Sequence, residues 1–118
     1  MFSNFKELYQ AYGLDNHTRK RDDLSHDEER YFVSDCFDLY ERIGFADTFG
    51  TPYTGEKKYV GMKFAVIDRV HELTESHPDG ADLACLPMWN IQLENGDTLS
   101  AYPEEICLAE RRMEVLKK

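Results

Sequence analysis

The chain has 118 residues, 42% of them apolar and 31% charged, a globular composition that excludes a disordered or collagen-like chain. Fourteen basic residues stand against 23 acidic ones, a net charge of −9; a surface this acidic repels phosphate, so direct DNA or RNA binding is not expected. No apolar run approaches the roughly 20 residues that cross a bilayer, and Met1-Phe2-Ser3-Asn4-Phe5-Lys6-Glu7 has no basic region followed by an apolar one, so neither membrane insertion nor secretion is expected.

The first periodic segment runs from Ser3 to Tyr12, where Phe5, Leu8, Tyr9 and Tyr12 fall on one helical face. Ser3 is positioned to cap it, and Gly13-Leu14 reads as a Schellman-type stop. Asp15 to Asp23, with the charged run Arg19-Lys20-Arg21-Asp22-Asp23, lacks apolar periodicity and reads as a linker. The second helix has a stronger signature. Ser25-His26-Asp27-Glu28 is a capping box, three acids sit at the positive end of the helix dipole, and Phe32, Cys36, Leu39 and Ile43 form a stripe widened by Val33, Phe37 and Tyr40 until Gly44. Residues 45–58 are a Gly-, Thr- and Pro-rich loop.

From Tyr59 onward the period changes from 3.6 to 2. Met62 to Val70 reads as a strand with Phe64 and Val66 on one face and Met62 and Ile67 flanking, followed by an acidic loop over 71–82 closed by His77-Pro78-Asp79-Gly80. Met88 to Leu93 and Thr98 to Tyr102 form a hairpin around Asn95-Gly96. A two-residue turn would set Leu93 against Thr98. A three-residue loop with Gly96 left-handed instead pairs Ile91 with Leu99 and Trp89 with Ala101, uniting Trp89, Ile91, Leu93, Leu99 and Ala101 on one apolar face. This second register is the expectation. Pro103-Glu104-Glu105 then reads as a tight turn facing water, Ile106 to Ala109 as a last strand, and Glu110 to Lys118 as one or two helical turns with Met113 and Leu116 inward.

Three features together, Gly61-x-x-Phe64-x-Val66-Ile67-Asp68, Trp89-x-Ile91-x-Leu93-x-Asn95-Gly96 and Tyr102-Pro103-Glu104-Glu105-Ile106, resemble an SH3-like small barrel of the Tudor or KOW type. The resemblance covers residues 59–110 and implies meandering strands. Barrels of this type bind proteins, modified peptides or nucleic acid, so no single function follows. A KOW-like RNA-binding role calls for basic residues where this chain has acids. A Tudor-type cage for a methylated cation would draw on Tyr53, Tyr59, Trp89 and Tyr102.

The chemistry-bearing residues nominate no reaction. His71, His77 and Cys85 follow no zinc spacing, and Asp79-x-x-Asp82 lacks the alternating ligands of a calcium loop, so no metal and no cofactor are expected. Cys36 and Cys107 read as core residues, while Cys85 is undetermined; an odd, dispersed set of three cysteines fits reduced thiols in a cytoplasmic protein. Phosphate-loop, dinucleotide, metalloprotease and nucleophile-elbow motifs are absent from the sequence. In the bulged register Met88 falls opposite Tyr102 on an otherwise polar face, a pair that either the helices or a partner must cover.

The expectation is an α+β unit with three parts: a helical region with its linker over 1–58, an SH3-like antiparallel barrel or meander over 59–110, and a basic tail over 111–118. Its expected role is a non-enzymatic binding or regulatory module, in size and charge similar to small phage-encoded inhibitors such as anti-CRISPR proteins. Asp79, Asp82, Glu94, Asp97, Glu104 and Glu105 would face a basic protein surface, with Met88 and Tyr102 as the desolvated anchor. Two alternatives stand beside it. One is a nucleic-acid-associated module using Arg19-Lys20-Arg21, Lys57-Lys58 and the tail; the other is a small enzyme using Cys85 with a histidine of the 71–77 loop.

Overall fold

Helix α1 spans Phe5–Ala11 and helix α2 spans His26–Ile43 in the computed structural model, which describes residues 2–15, 19–51 and 54–108. The α1 cap is Asn4 rather than Ser3: the Asn4 side chain accepts from the Glu7 amide at 2.9 Å, while the Ser3 amide donates to the Glu7 carboxylate at 2.8 Å. Both polar residues therefore serve the helix start, in exchanged roles. Its end is the Schellman arrangement, with Gly13 N–H on Gln10 O and Leu14 N–H on Tyr9 O. The α2 capping box forms through Ser25 and Glu28, and Gly44 ends the helix.

Strands β1 (Phe64–Arg69), β2 (Trp89–Leu93) and β3 (Thr98–Ala101) make an antiparallel sheet in the order β1-β2-β3. The β2–β3 register pairs Trp89 with Ala101 and Ile91 with Leu99, and Gly96 takes a φ of +93°. This is the three-residue loop that apolar matching requires. Against β2, β1 slips by one residue: Val66 faces Ile91 and Asp68 faces Asn90, leaving Ile67 as the extra residue of a bulge. With Val66 packed against the core, alternation turns Ile67 outward, 57% exposed, and the slip leaves Asp68 outward as well.

Among the described residues the sheet is open, and no barrel closes. The segment read as a turn and last strand forms a single helical turn, α3 (Pro103–Ile106), followed by one isolated bridge between Cys107 and Phe45. Proline is preorganised for a first helical position and Glu105 reaches back to the Tyr102 amide at 2.9 Å, so the chain coils over the expected turn and takes in Ile106, the first residue of the expected strand. A second bridge joins Thr48 to Lys63, so the segment after α2 touches both the β1 side of the sheet and the end of α3. Ala109, Met113 and Leu116 lie outside the described residues.

One buried cluster takes residues from both halves: Phe5, Leu8, Phe32 and Leu39 from the helices, Trp89, Ile91 and Leu93 from the sheet, and Ile106 and Cys107 beyond it. Trp89 is its hub, met edge-on by Phe37, Tyr40 and Phe45 at centroid distances of 5.1, 5.7 and 5.4 Å. A cation network closes the same seam. Arg69 of β1 grips Glu41 of α2 through two bonds of 2.7 and 3.0 Å, reaches Asp38 at 2.8 Å and lies over the Phe37 ring, while Trp89 Nε1 donates to Glu41. Burial raises the Glu41 carboxyl, but the bonds from Arg69 and Trp89 hold it below its ordinary value.

Candidate functional site

The acidic residues expected to face a partner do not form one patch. Asp79 belongs to the loop at the Arg69 end of β1, in a cavity shared with Asp68, His71 and His77. Glu94 and Asp97 belong to the hairpin turn at the other end, where Glu94 follows the residue paired with Phe64. A strand of six residues spans roughly 17 Å, so these two groups approach different parts of any partner. Asp97 is also engaged already, accepting from the Tyr59 hydroxyl at 2.8 Å.

A third group collects beside the helices. Asp82 precedes a 3-10 turn, Leu83–Cys85, that lies against α2, and a cavity of about 270 Å³ opens between Cys85, Tyr102 and Glu104 on one side and Tyr9, Phe32 and Tyr40 on the other. Arg21 secures this junction: it donates to Leu83 O at 2.9 Å, pairs with Glu29 at 3.3 Å and stacks over Phe32. Desolvation raises the Tyr102 phenol above its ordinary value. Tyr102 lines this cavity together with residues of α1 and α2, whereas Met88 packs, half-buried, against the core. The outward face of the sheet instead presents Ile67 among Asn90, Thr98 and Ser100, with Ser100 donating to Asn90 and Asn90 to Asp68. Alternation from Val66 already places Ile67 on this face, while the bulge, which has no sequence signature of its own, adds Asp68 to it.

Glu105 corrects the expectation of a solvent-facing turn. It is 1% exposed, while Glu104 is half-buried beside Tyr102. Its carboxyl group is desolvated and meets Glu56 of the 3-10 turn Thr54–Tyr59, so burial first and then this facing acid push it up to about 7. Sequence adjacency pointed to Glu104 as the second member of a carboxyl pair, but successive residues of a helical turn diverge. The one usable signal was Pro103 at the first helical position with an acid two residues later.

The remaining constellations do not assemble into reactive sites. His71 and His77 stack at 4.1 Å on the Asp79 side, and Cys85 lines the other cavity. Among the described residues no group of three or more His, Cys, Asp or Glu is placed to hold a metal ion. Cys36 and Cys107 are buried and Cys85 is exposed; burial raises the Cys36 thiol far above its ordinary range, which makes it a poor nucleophile. Trp89 is 1% exposed and cannot offer a ring face to a methylated cation, and Tyr53 lies outside the described residues.

The cations are distributed asymmetrically. Every described arginine is committed within the molecule: Arg19 to Glu28, Arg21 to Glu29, Arg30 to Glu72, Arg42 to Phe2 O and Arg69 to Glu41 and Asp38. Asp79, Asp82 and Glu94 are exposed. No described helix is long and apolar enough to cross a membrane. The chain matches no protein-family model, no curated protein and no solved structure.

Proposed function

We propose that this chain is a small acidic binding module, without a catalytic role, that occupies a basic protein surface otherwise used to hold nucleic acid. The observation that carries this reading is the internal commitment of the described arginines, which leaves lysines such as Lys57 and Lys58 as the outward cations against a larger set of exposed carboxylates. A guanidinium engaged with a carboxylate is poorly available to phosphate, whereas carboxylates at Asp79, Asp82 and Glu94 complement lysines and arginines of a partner. Three separated acidic groups suit a broad basic surface better than a single pocket. The rim formed by Tyr102 and Glu104 sets a charge beside an apolar cavity, and Tyr102 is its anchor residue. A cytoplasmic setting belongs to the same reading, since it keeps three free thiols reduced. An SH3-like ancestry fits the meandering sheet and the bridges from residues 45 and 48 to Cys107 and Lys63.

Pull-down of host lysate on the immobilised chain tests the proposal. The expected prey is a nucleic-acid-binding protein, retained at about 0.05 M salt, released toward about 0.5 M, displaced by added nucleic acid and weakened by Tyr102→Ala or Asp82→Asn. An acidic or salt-insensitive prey, or none, refutes it.

A further inference from the structure

We propose that Glu56 and Glu105 form a proton-dependent clasp that holds the α3 turn to the segment around Gly50 only while the two carboxyl groups share a proton. The Oε2 atoms of both residues are buried, and among the described residues no N–H or hydroxyl donor reaches either. The two carboxyl groups nevertheless lie against each other, close enough for one to act on the other. Two carboxylates are acceptors only, so a hydrogen bond between them requires a proton on one.

The surroundings favour that proton. The groups acting on the Glu105 carboxyl are Glu56, the Thr51 hydroxyl and the Tyr102 amide, and none is a cation. Around the neighbouring Tyr102 phenol stand Cys85, Glu104, Glu105 and Glu56, again all acids. Lys57 and Lys58 follow Glu56 in the chain but are exposed, with Lys58 over the Tyr59 ring. Loss of the shared proton thus leaves a buried Glu105 carboxylate against a half-buried Glu56 carboxylate, with only the Thr51 and Tyr102 dipoles to offset them. The proton itself passes to solvent.

The backbone shows what the clasp holds. Gly50 N–H donates to Glu105 O at 3.0 Å, Ala46 N–H donates to Ile106 O at 2.7 Å, and Phe45 bridges Cys107. Because folding raises the Glu105 value from 4.5 to about 7, the native state binds more protons than the unfolded state between those limits. The stabilisation is complete below about 4.5 and is lost as pH rises through about 7. The chain should therefore melt at higher temperature at pH 5.5 than at pH 8.5, and Gly50 should loosen first.

Two measurements on the full chain decide the matter. The first is a carbon-13 NMR titration of the Glu105 carboxyl group, expected to show a midpoint near 7. The second is amide hydrogen exchange at Gly50 and, as a control, Gly44. After correction for intrinsic rates, Gly50 protection should fall at least tenfold between pH 6 and 8.5 while Gly44 protection stays level. Glu105→Gln places an amide donor opposite Glu56 and needs no proton, so it should abolish the pH dependence of Gly50; Glu56→Gln should do the same. A Glu105 midpoint near 4.5, unchanged Gly50 protection, or an equal fall in a folded glutamine variant overturns the proposal. If neither glutamine variant folds, the titration and exchange of the unaltered chain decide it alone.

Discussion

Gly80 is the residue on which the acidic loop closes. A Cβ there would lie 2.6 Å from His71 O and 2.7 Å from both Glu72 C and Leu73 N, all backbone atoms that cannot swing aside. The same strands of loop exchange Leu73 N–H to Ala81 O and Ala81 N–H to His71 O, so yielding at Gly80 would break that pairing. Gly80→Ala should cost about 1–3 kcal/mol, whereas Gly55→Ala, which meets open space, should stay within about 0.5 kcal/mol; urea unfolding midpoints compare them. The cysteines allow an equally simple count. A disulfide-exchange reagent should label Cys85 alone in the native chain and reach Cys36 and Cys107 only on unfolding. Labelling of Cys85 far faster than a free thiol would favour the cysteine-enzyme alternative over a binding module.

At the level of elements, the seam between α2 and the sheet depends on Glu41, which accepts from both Arg69 and Trp89. A double-mutant cycle with Glu41→Gln and Arg69→Met should return a coupling of about 1 kcal/mol, limited because both side chains remain about one-third exposed. Since folding lowers the Glu41 value, this coupling is present above the ordinary carboxylate range and should vanish as pH falls through the folded value. A coupling near zero at neutral pH would reduce the pair to a surface contact. Helix α2 and the β2–β3 register were legible in the sequence because several local signals agree there: a capping box, one apolar stripe, and apolar pairing that tolerates a single loop length. The Arg69–Glu41 grip was not, since it joins residues whose neighbourhood only the tertiary packing creates. The α3 turn was misread for a related reason. Ile106 and Cys107 are apolar and buried, as a closing strand requires, but the cap geometry upstream overrides the pattern. The carboxyl pair escaped notice because burial of a glutamate is an outcome of packing, and composition favours the solvated reading.

For the molecule as a whole, the shared core argues that neither half is self-sufficient, because the helices bury Trp89 and the sheet buries the α2 stripe. The isolated fragment 59–118 should give poorly dispersed NMR spectra. Sharp, dispersed spectra would establish two independent domains instead. The short reach of the β2–β3 turn carries a last consequence, for the order of events as the chain folds. Leu93 N–H bonds Asp97 O across the turn, so this hairpin closes with little loop entropy, whereas β1 must return to β2 across the whole acidic loop and α2 must arrive from farther still. The hairpin should therefore be formed at the rate-limiting barrier and the Arg69–Glu41 seam lock after it. Gly96→Ala, which forces a side chain into a φ of +93°, should slow refolding, while Glu41→Gln should mainly hasten unfolding. Stopped-flow chevrons separate the two limbs, and a Gly96→Ala refolding rate equal to that of the parent chain would reverse the order.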